Sequence, residues 1–279
     1  MTDLFETTEP ESGTELASPN ERLVSKPLLF HGDCRKLAVS DVALIVTSPP
    51  YNCGKDYGTY NDNLPLDDYW RFTTSWLLSA YESLIPGGRL CVNLPWWTGK
   101  KPRVDVPGKF KELAMLVGFL FLDKIIWVKG DEKNTHTSGG FGGGGSGWGT
   151  YMSPSGPAIR CATEPILVFA KESRGRKVIS GKGNGDCIKG DITKEDFLNW
   201  TIDAWFMRGA SDKMHPAVFP DEIPRRLIQI YTYPGDTVFD PFMGSGTTGK
   251  MAKLLGRKFI GCEIDKEYFE LATKRIEAC

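Results

Sequence analysis

The chain has 279 residues, 41% hydrophobic and 25% charged, an ordinary balance for a globular protein. No apolar run approaches the roughly 18 residues that span a bilayer, and the N-terminus lacks the basic-then-apolar pattern of a secretory leader. Net charge is −1, but the first 21 residues carry six acids and no base, which leaves the remainder net basic.

Residues 1–22 are acidic and polar and read as a disordered tail. Beyond them "KPLLFHGDC" (26–34) and "VALIVTSPP" (42–50) are apolar runs of strand length. "DDYWRFTTSWLLSAYESL" (67–84) reads as a helix, stopped by Pro86-Gly87-Gly88. The strand "GRLCVNLPWW" (88–97), the helix "GKFKELAMLVGF" (108–119) and the strands "DKIIWVK" (123–129) and "PILVFAK" (165–171) continue a βαβ rhythm. Two stretches break it. Residues 130–157 are dominated by glycine, and residues 172 to 212 are polar and basic with an aromatic end, "FLNWTIDAWFMRG". Long insertions in compact domains are commonly functional or disordered, and both readings stay open.

After "HPAVFPDEIPRRLI" (215–228) come a short strand "TVFD" (237–240), a glycine turn, the helix "TTGKMAKLLG" (247–256), the strand "KFIGCE" (258–263) and a last helix, "DKEYFELATKRIEA" (265–278). The expected architecture is an α/β, Rossmann-like domain with a sheet of about seven strands. Its catalytic core comprises 23–130 and 203–279 with strand 164–171. A glycine-rich loop (131–163) and an insertion (172–212) interrupt that core. Most of the sheet precedes the glycine turn, so the order is circularly permuted relative to an ordinary dinucleotide domain.

Seven cysteines occur without a C-x-x-C pair, and three histidines (His31, His136, His215) have no ligand spacing. This composition argues against a metal site and fits reduced thiols in a cytoplasmic protein. The turn "DPFMGSGTTGKM" (240–251) contains both a G-x-G-x-x-G and most of a Walker A loop. Walker A needs Ser or Thr after its Lys to ligate Mg²⁺, and Met251 stands there. A dinucleotide reading has the right strand, turn, helix and second strand ending in Glu263, yet Asp240 would oppose a pyrophosphate. A cofactor with a cationic head and no phosphate suits Asp240 better. S-adenosylmethionine fits that description: its carboxylate can lie at the helix N-terminus, and Glu263 can accept its ribose hydroxyls.

"TSPPYN" (47–52) follows an apolar strand directly. Pro49 and Pro50 remove two backbone donors, leaving carbonyls and the Ser48 hydroxyl to accept hydrogen bonds. An acceptor-rich turn is what an exocyclic amino group needs to be oriented for attack. Tyr51 offers a flat face for an extruded base.

These paired motifs resemble the amino-methylating DNA methyltransferases of the β motif order, in which the catalytic motif precedes the cofactor loop. Ser48-Pro49-Pro50-Tyr51 matches their catalytic tetrapeptide, and Asp240-Pro241-Phe242-Met243-Gly244-Ser245-Gly246-Thr247 matches their cofactor loop. "HGDC" resembles the segment whose acid, here Asp33, meets the cofactor adenine. "HPAVFPDEIPRRLI" resembles the helix bordering the cofactor methionine, with His215 at its start, and "EPILVFAK" the late antiparallel strand. The resemblance implies an S-adenosylmethionine-dependent methyltransferase fold whose variable insertions form the target recognition region. It also implies double-stranded DNA as substrate, a cognate restriction endonuclease as a functional partner, and a homodimer. In that family Ser at the first tetrapeptide position mostly accompanies N4 of cytosine, with N6 of adenine the alternative. Carbon-5 methylation would need a cysteine nucleophile, typically after proline, and no cysteine here follows one. RNA or protein-glutamine methylation would favour Asn at that position, and an NAD-dependent enzyme is the rival of different chemistry.

Overall fold

The structure, a computed structural model, describes residues 26–57, 60–98, 103–130, 149–150, 152–159, 161–176, 190–209 and 219–279. The strands of the first half are β1 (Leu28–His31), β2 (Val42–Thr47), a two-residue hairpin of β3 (Asp56–Tyr57) and β4 (Tyr60–Asn61), and β5 (Leu84–Asn93). They are followed by β6 (Phe119–Lys129), β7 (Thr163–Lys171), β8 (Ala204–Met207), β9 (Thr237–Asp240) and β10 (Lys258–Glu263). The helices are α1 (Leu66–Ser83), α2 (Val106–Val117), α3 (Lys194–Trp200), α4 (Glu222–Tyr231), α5 (Thr247–Leu254) and α6 (Lys266–Glu277).

Eight strands form one sheet in the order β1-β10-β9-β2-β5-β7-β6-β8. Every residue of β2 is buried, as expected for a parallel strand covered on both faces. It pairs in parallel with β5 on one side and β9 on the other, and Ile45 faces both Leu90 and Phe239. Only β7 runs antiparallel, between β5 and β6. α1 and α2 cover one face, where Trp76, Leu77, Phe110 and Ala114 pack on Ile45, Val92 and Phe239. On the other face Ile223, Leu227, Met251 and Ile276 pack on Leu44, Val46 and Val238. The alternation of Leu44, Ile45 and Val46 between the two layers is the two-residue strand period at work.

The boundaries of α1, α2, α5 and α6 fall within two residues of those expected, whereas α4 runs from Glu222 to Tyr231 where 215–228 was expected. Asp105 caps α2 by accepting from the Gly108 N–H, and Gly118 ends it with φ 118°. Strand β5 begins earlier than expected and takes in Pro86-Gly87-Gly88. A register shift against β2, between Val42 and Leu44, absorbs the extra residues.

Among the described residues the sheet has eight strands, in line with the expected Rossmann-like sheet of about seven. The eighth, β8, lies where the expected insertion (172–212) overlaps the expected core (203–279), and it pairs in parallel with β6. Its Trp205 is fully buried, and Trp200 of α3 packs in the same layer. Asp191, just upstream, holds the fully buried Arg257 guanidinium through two hydrogen bonds, at 2.5 and 2.7 Å. Burying two indoles and closing a buried ion pair ties residues 190–207 to the fold. Residues 131–148, 177–189 and 210–218 lie outside the described residues.

Candidate active site

The glycine turn sits where β9 ends and α5 begins. Gly246 precedes α5 with φ 82°, and Gly244 has φ 51°, both backbone conformations that favour glycine. Gly249 serves packing: a Cβ there would lie 2.5 Å from both the Phe259 ring and Ile276 Cδ1. Gly249→Val is therefore expected to destabilise the protein by about 1–3 kcal/mol through overpacking, read as a lower melting temperature. The turn is latched to the neighbouring strand. Glu263, at the end of β10, accepts from the Gly244 N–H at 2.8 Å and the Asp265 N–H at 3.0 Å, and burial pushes its carboxyl up.

Asp240 closes β9 and is 2% exposed. Its Oδ1 accepts from the Thr47 hydroxyl at 2.7 Å and the Phe242 N–H at 3.1 Å. Burial dominates these contacts and pushes the carboxyl up to about 6. Among the described residues no cationic side chain pairs with it. The Thr47 contact joins the two sequence motifs, because Thr47 ends β2 and immediately precedes Ser48. Strand pairing thus brings residues nearly 200 positions apart to the carboxyl ends of two adjacent interior strands, where ligands of doubly wound folds bind.

The Ser48-Pro49-Pro50-Tyr51 turn is held from two sides. The Tyr69 hydroxyl of α1 donates to the Pro50 carbonyl at 3.1 Å. Asp62 gathers the N–H groups of Asn52, Cys53 and Lys55 at 2.7 to 3.1 Å, which fixes the chain leaving the turn. No donor of the described residues reaches the Pro49 carbonyl. The Ser48 hydroxyl donates to the Tyr51 hydroxyl at 2.9 Å, and Tyr51 is 5% exposed.

A cavity of about 450 Å³ joins the two motifs. Of the residues expected at the site, Asp33, Ser48, Pro50, Asp240, Pro241, Phe242, Gly244, Ser245, Thr247 and Glu263 line it. Pro49, Tyr51 and Gly246 do not line it, and His215 is outside the described residues. Phe242 is wedged edge-on against Trp76, with centroids 5.3 Å apart. The Arg35 guanidinium holds the Asp33 carboxyl below the ordinary range by a 2.6 Å contact. Phe219, just before α4, and Tyr60, Leu64 and Phe72 supply apolar wall that sequence reasoning did not assign.

Sequence reasoning also missed Asn93 and Glu164, both 4% exposed, which reach the Tyr51 hydroxyl from β5 and β7. The available signal was an acid opening the otherwise apolar strand "EPILVFAK". Such a residue is buried by its neighbours and must find a partner.

Residues 42–274 match the DNA methylase family of N6/N4 type. The Type II methyltransferase M.MjaVI of Methanocaldococcus jannaschii is 37% identical over 172 residues, covering 62% of this chain and 79% of that protein. Among solved structures, the DNA modification methylase TTHA0409 of Thermus thermophilus in complex with S-adenosyl-L-methionine aligns with a TM-score of 0.66 and 27% identity, covering 91% of this chain and 94% of that one. The cytosine-N4-specific PvuII DNA methyltransferase has the same fold, with a TM-score of 0.63 at 20% identity over 90% of this chain and 86% of that one.

Proposed function

The chain belongs to the DNA methylase family, and from that premise we propose that it transfers the methyl group of S-adenosylmethionine to the exocyclic N4 amine of cytosine in double-stranded DNA. The observation that carries this reading is the shared cavity. Asp240, a buried carboxylate with no cationic partner among the described residues, and an acceptor turn headed by Ser48 face the same space. A buried, uncompensated carboxylate is costly, and a cationic ligand relieves that cost.

Asp240 would face the positive end of the cofactor, Phe242 and Pro241 would line its apolar body, and the α5 N-terminus with Ser245 and Thr247 would receive its carboxylate. Glu263, already oriented by the Gly244 and Asp265 N–H groups, would accept from the ribose hydroxyls. When bound, S-adenosylmethionine supplies a sulfonium methyl, which the amino nitrogen takes up as the carbon–sulfur bond breaks and one amino proton is lost to solvent. The Ser48 hydroxyl and the Pro49 carbonyl accept the two amino hydrogens. They turn the nitrogen lone pair toward the methyl and cost no reorganisation, since Tyr69 and Asp62 fix the turn beforehand. A neutral hydroxyl suffices for this with either amine. The choice of cytosine rests on the resemblance, in which Ser at this position mostly accompanies N4 of cytosine and N6 of adenine is the alternative. The function fits modification of host DNA beside a restriction endonuclease of the same specificity, and a homodimer is the proposed assembly. The glycine-rich loop (131–163) and the insertion (172–212), parts of which lie outside the described residues, are proposed to contact the DNA. Ser48→Ala is expected to lower transfer of labelled methyl to unmethylated DNA by about 100-fold with cofactor binding retained. Transfer to RNA or to protein in place of DNA would refute the reading.

The Asp240 carboxyl gives the site a pH dependence. Cofactor binding requires its ionised form, so affinity strengthens as pH rises through about 6. Calorimetric titration should show the dissociation constant of S-adenosylmethionine falling about tenfold between roughly pH 5 and pH 7. A flat profile would mean that Asp240 does not face the cation.

A further inference from the structure

Behind Ser48 lies a buried polar chain that the transfer described above does not use. The Tyr51 hydroxyl accepts from Ser48 Oγ at 2.9 Å and from Asn93 Nδ2 at 2.7 Å. Its own proton points toward Glu164 Oε2, 3.4 Å away, and the Asn93 carbonyl, 3.5 Å away. Asn93 Nδ2 also donates to Glu164 Oε2 at 2.7 Å. Lys129 donates to the other carboxylate oxygen. The amide orientation is dictated by Glu164, because a flipped Asn93 would turn its oxygen onto the carboxylate. The consequence is that Asn93 Oδ1 is buried without a hydrogen-bond partner among the described residues.

A carboxylate with 4% exposure costs several kcal/mol to desolvate, and apolar side chains would fill the same space at lower cost. The chain of hydrogen bonds has one consequence at the cavity. A serine hydroxyl can donate or accept, and a donated proton would occupy the very lone pair that must attack. Glu164 can only accept, so the Tyr51 proton is drawn inward. The Tyr51 oxygen is then available to the Ser48 proton. Ser48 is left presenting lone pairs to the cavity it lines.

We infer that Glu164, acting through Asn93 and Tyr51, is a positioning residue that holds the Ser48 hydroxyl as a hydrogen-bond acceptor for the target amine. This rests on the amino-methyl-transfer reading above. It explains how a neutral serine performs the role that a carboxylate, which has no proton to misdirect, performs unaided.

The test uses Glu164→Gln and Tyr51→Phe in the full chain. The glutamine amide can donate where the carboxylate could only accept, which reverses the chain. The phenylalanine keeps the ring but removes the acceptor for the Ser48 proton. Each variant is expected to lower kcat about tenfold or more, with KM for DNA, the cofactor dissociation constant and the folded fraction close to wild type. In a Ser48→Asp background, where no hydroxyl needs orienting, Tyr51→Phe should cost less than about threefold. Wild-type kcat in Tyr51→Phe would overturn the inference, since a ring that only stacks needs no hydroxyl. Equal losses in the Ser48 and Ser48→Asp backgrounds would also overturn it, as would a loss confined to KM. Absence of methyl transfer by the wild-type protein would instead sink the underlying functional reading. Should Glu164→Gln fail to fold, Tyr51→Phe alone decides.

Discussion

Asp240→Asn is expected to raise the melting temperature of the cofactor-free protein at pH 8 while reducing methyl transfer by about 100-fold or more. The two effects have one cause. The ordinary carboxyl value is 3.8, and burial moves Asp240 up to about 6, a difference worth on the order of 3 kcal/mol against the ionised folded state. Because the folded value lies above the unfolded one, the stability attached to the protonated group is present below about pH 4 and is lost as pH rises through about 6. An amide of the same shape carries no charge to desolvate and keeps the Oδ1 contacts with the Thr47 hydroxyl and the Phe242 N–H. The full penalty would convert to roughly 6–12 °C. The amide buries an Nδ2 group in place of one carboxylate oxygen, so the gain should be smaller, roughly 2–6 °C at pH 8, and should shrink toward zero at pH 4. On the proposed reading the lost charge faces the cationic cofactor, so its dissociation constant should rise steeply in the same variant. A variant less stable than wild type at pH 8, with unchanged cofactor affinity, would show that Asp240 is a structural acid.

Asp191→Ala is expected to destabilise the protein by about 3 kcal/mol, a fall of roughly 6–12 °C in melting temperature. Arg257 is fully buried and its guanidinium is shared among Asp191, the Thr232 hydroxyl and carbonyl, and the Leu255 carbonyl. Removing the carboxylate leaves a buried cation with only dipoles around it, and the penalty exceeds the value of the pair itself. The side chain of Asp191 is 33% exposed, so water that reaches the site limits the loss to the lower part of the range for buried pairs. Asp191→Leu combined with Arg257→Met should recover part of it, because a well-packed apolar pair has no charge left to strand. A change within about 0.5 kcal/mol for Asp191→Ala would mean that residues 190–207 are not integral to the domain.

Most of the site was legible because its two motifs carry chemistry locally. Pro49 and Pro50 announce a turn short of donors, Met251 excludes a Walker loop, and Asp240 opposes a pyrophosphate. Each is a statement about one residue in its immediate context. The sheet order was less legible. Strand β8 is four residues long and ends a stretch that is otherwise polar and basic, so its parallel pairing with β6 was not evident from sequence. Least legible was the chain behind Ser48. Tyr51 and Glu164 are 113 positions apart and meet only because β7 runs antiparallel beside β5. A stacking ring explained Tyr51 from sequence, whereas the fold buries that ring and engages its hydroxyl.

The most direct measurement is the identity of the methylated nucleoside. Purified protein is incubated with methyl-labelled S-adenosylmethionine and unmethylated genomic DNA, and the digested nucleosides are identified by mass. Label in N4-methyldeoxycytidine is the predicted result. Label in N6-methyldeoxyadenosine alone would overturn the base assignment and leave the Ser48-Pro49 acceptor chemistry standing, whereas label at carbon 5 of cytosine would contradict the account as a whole.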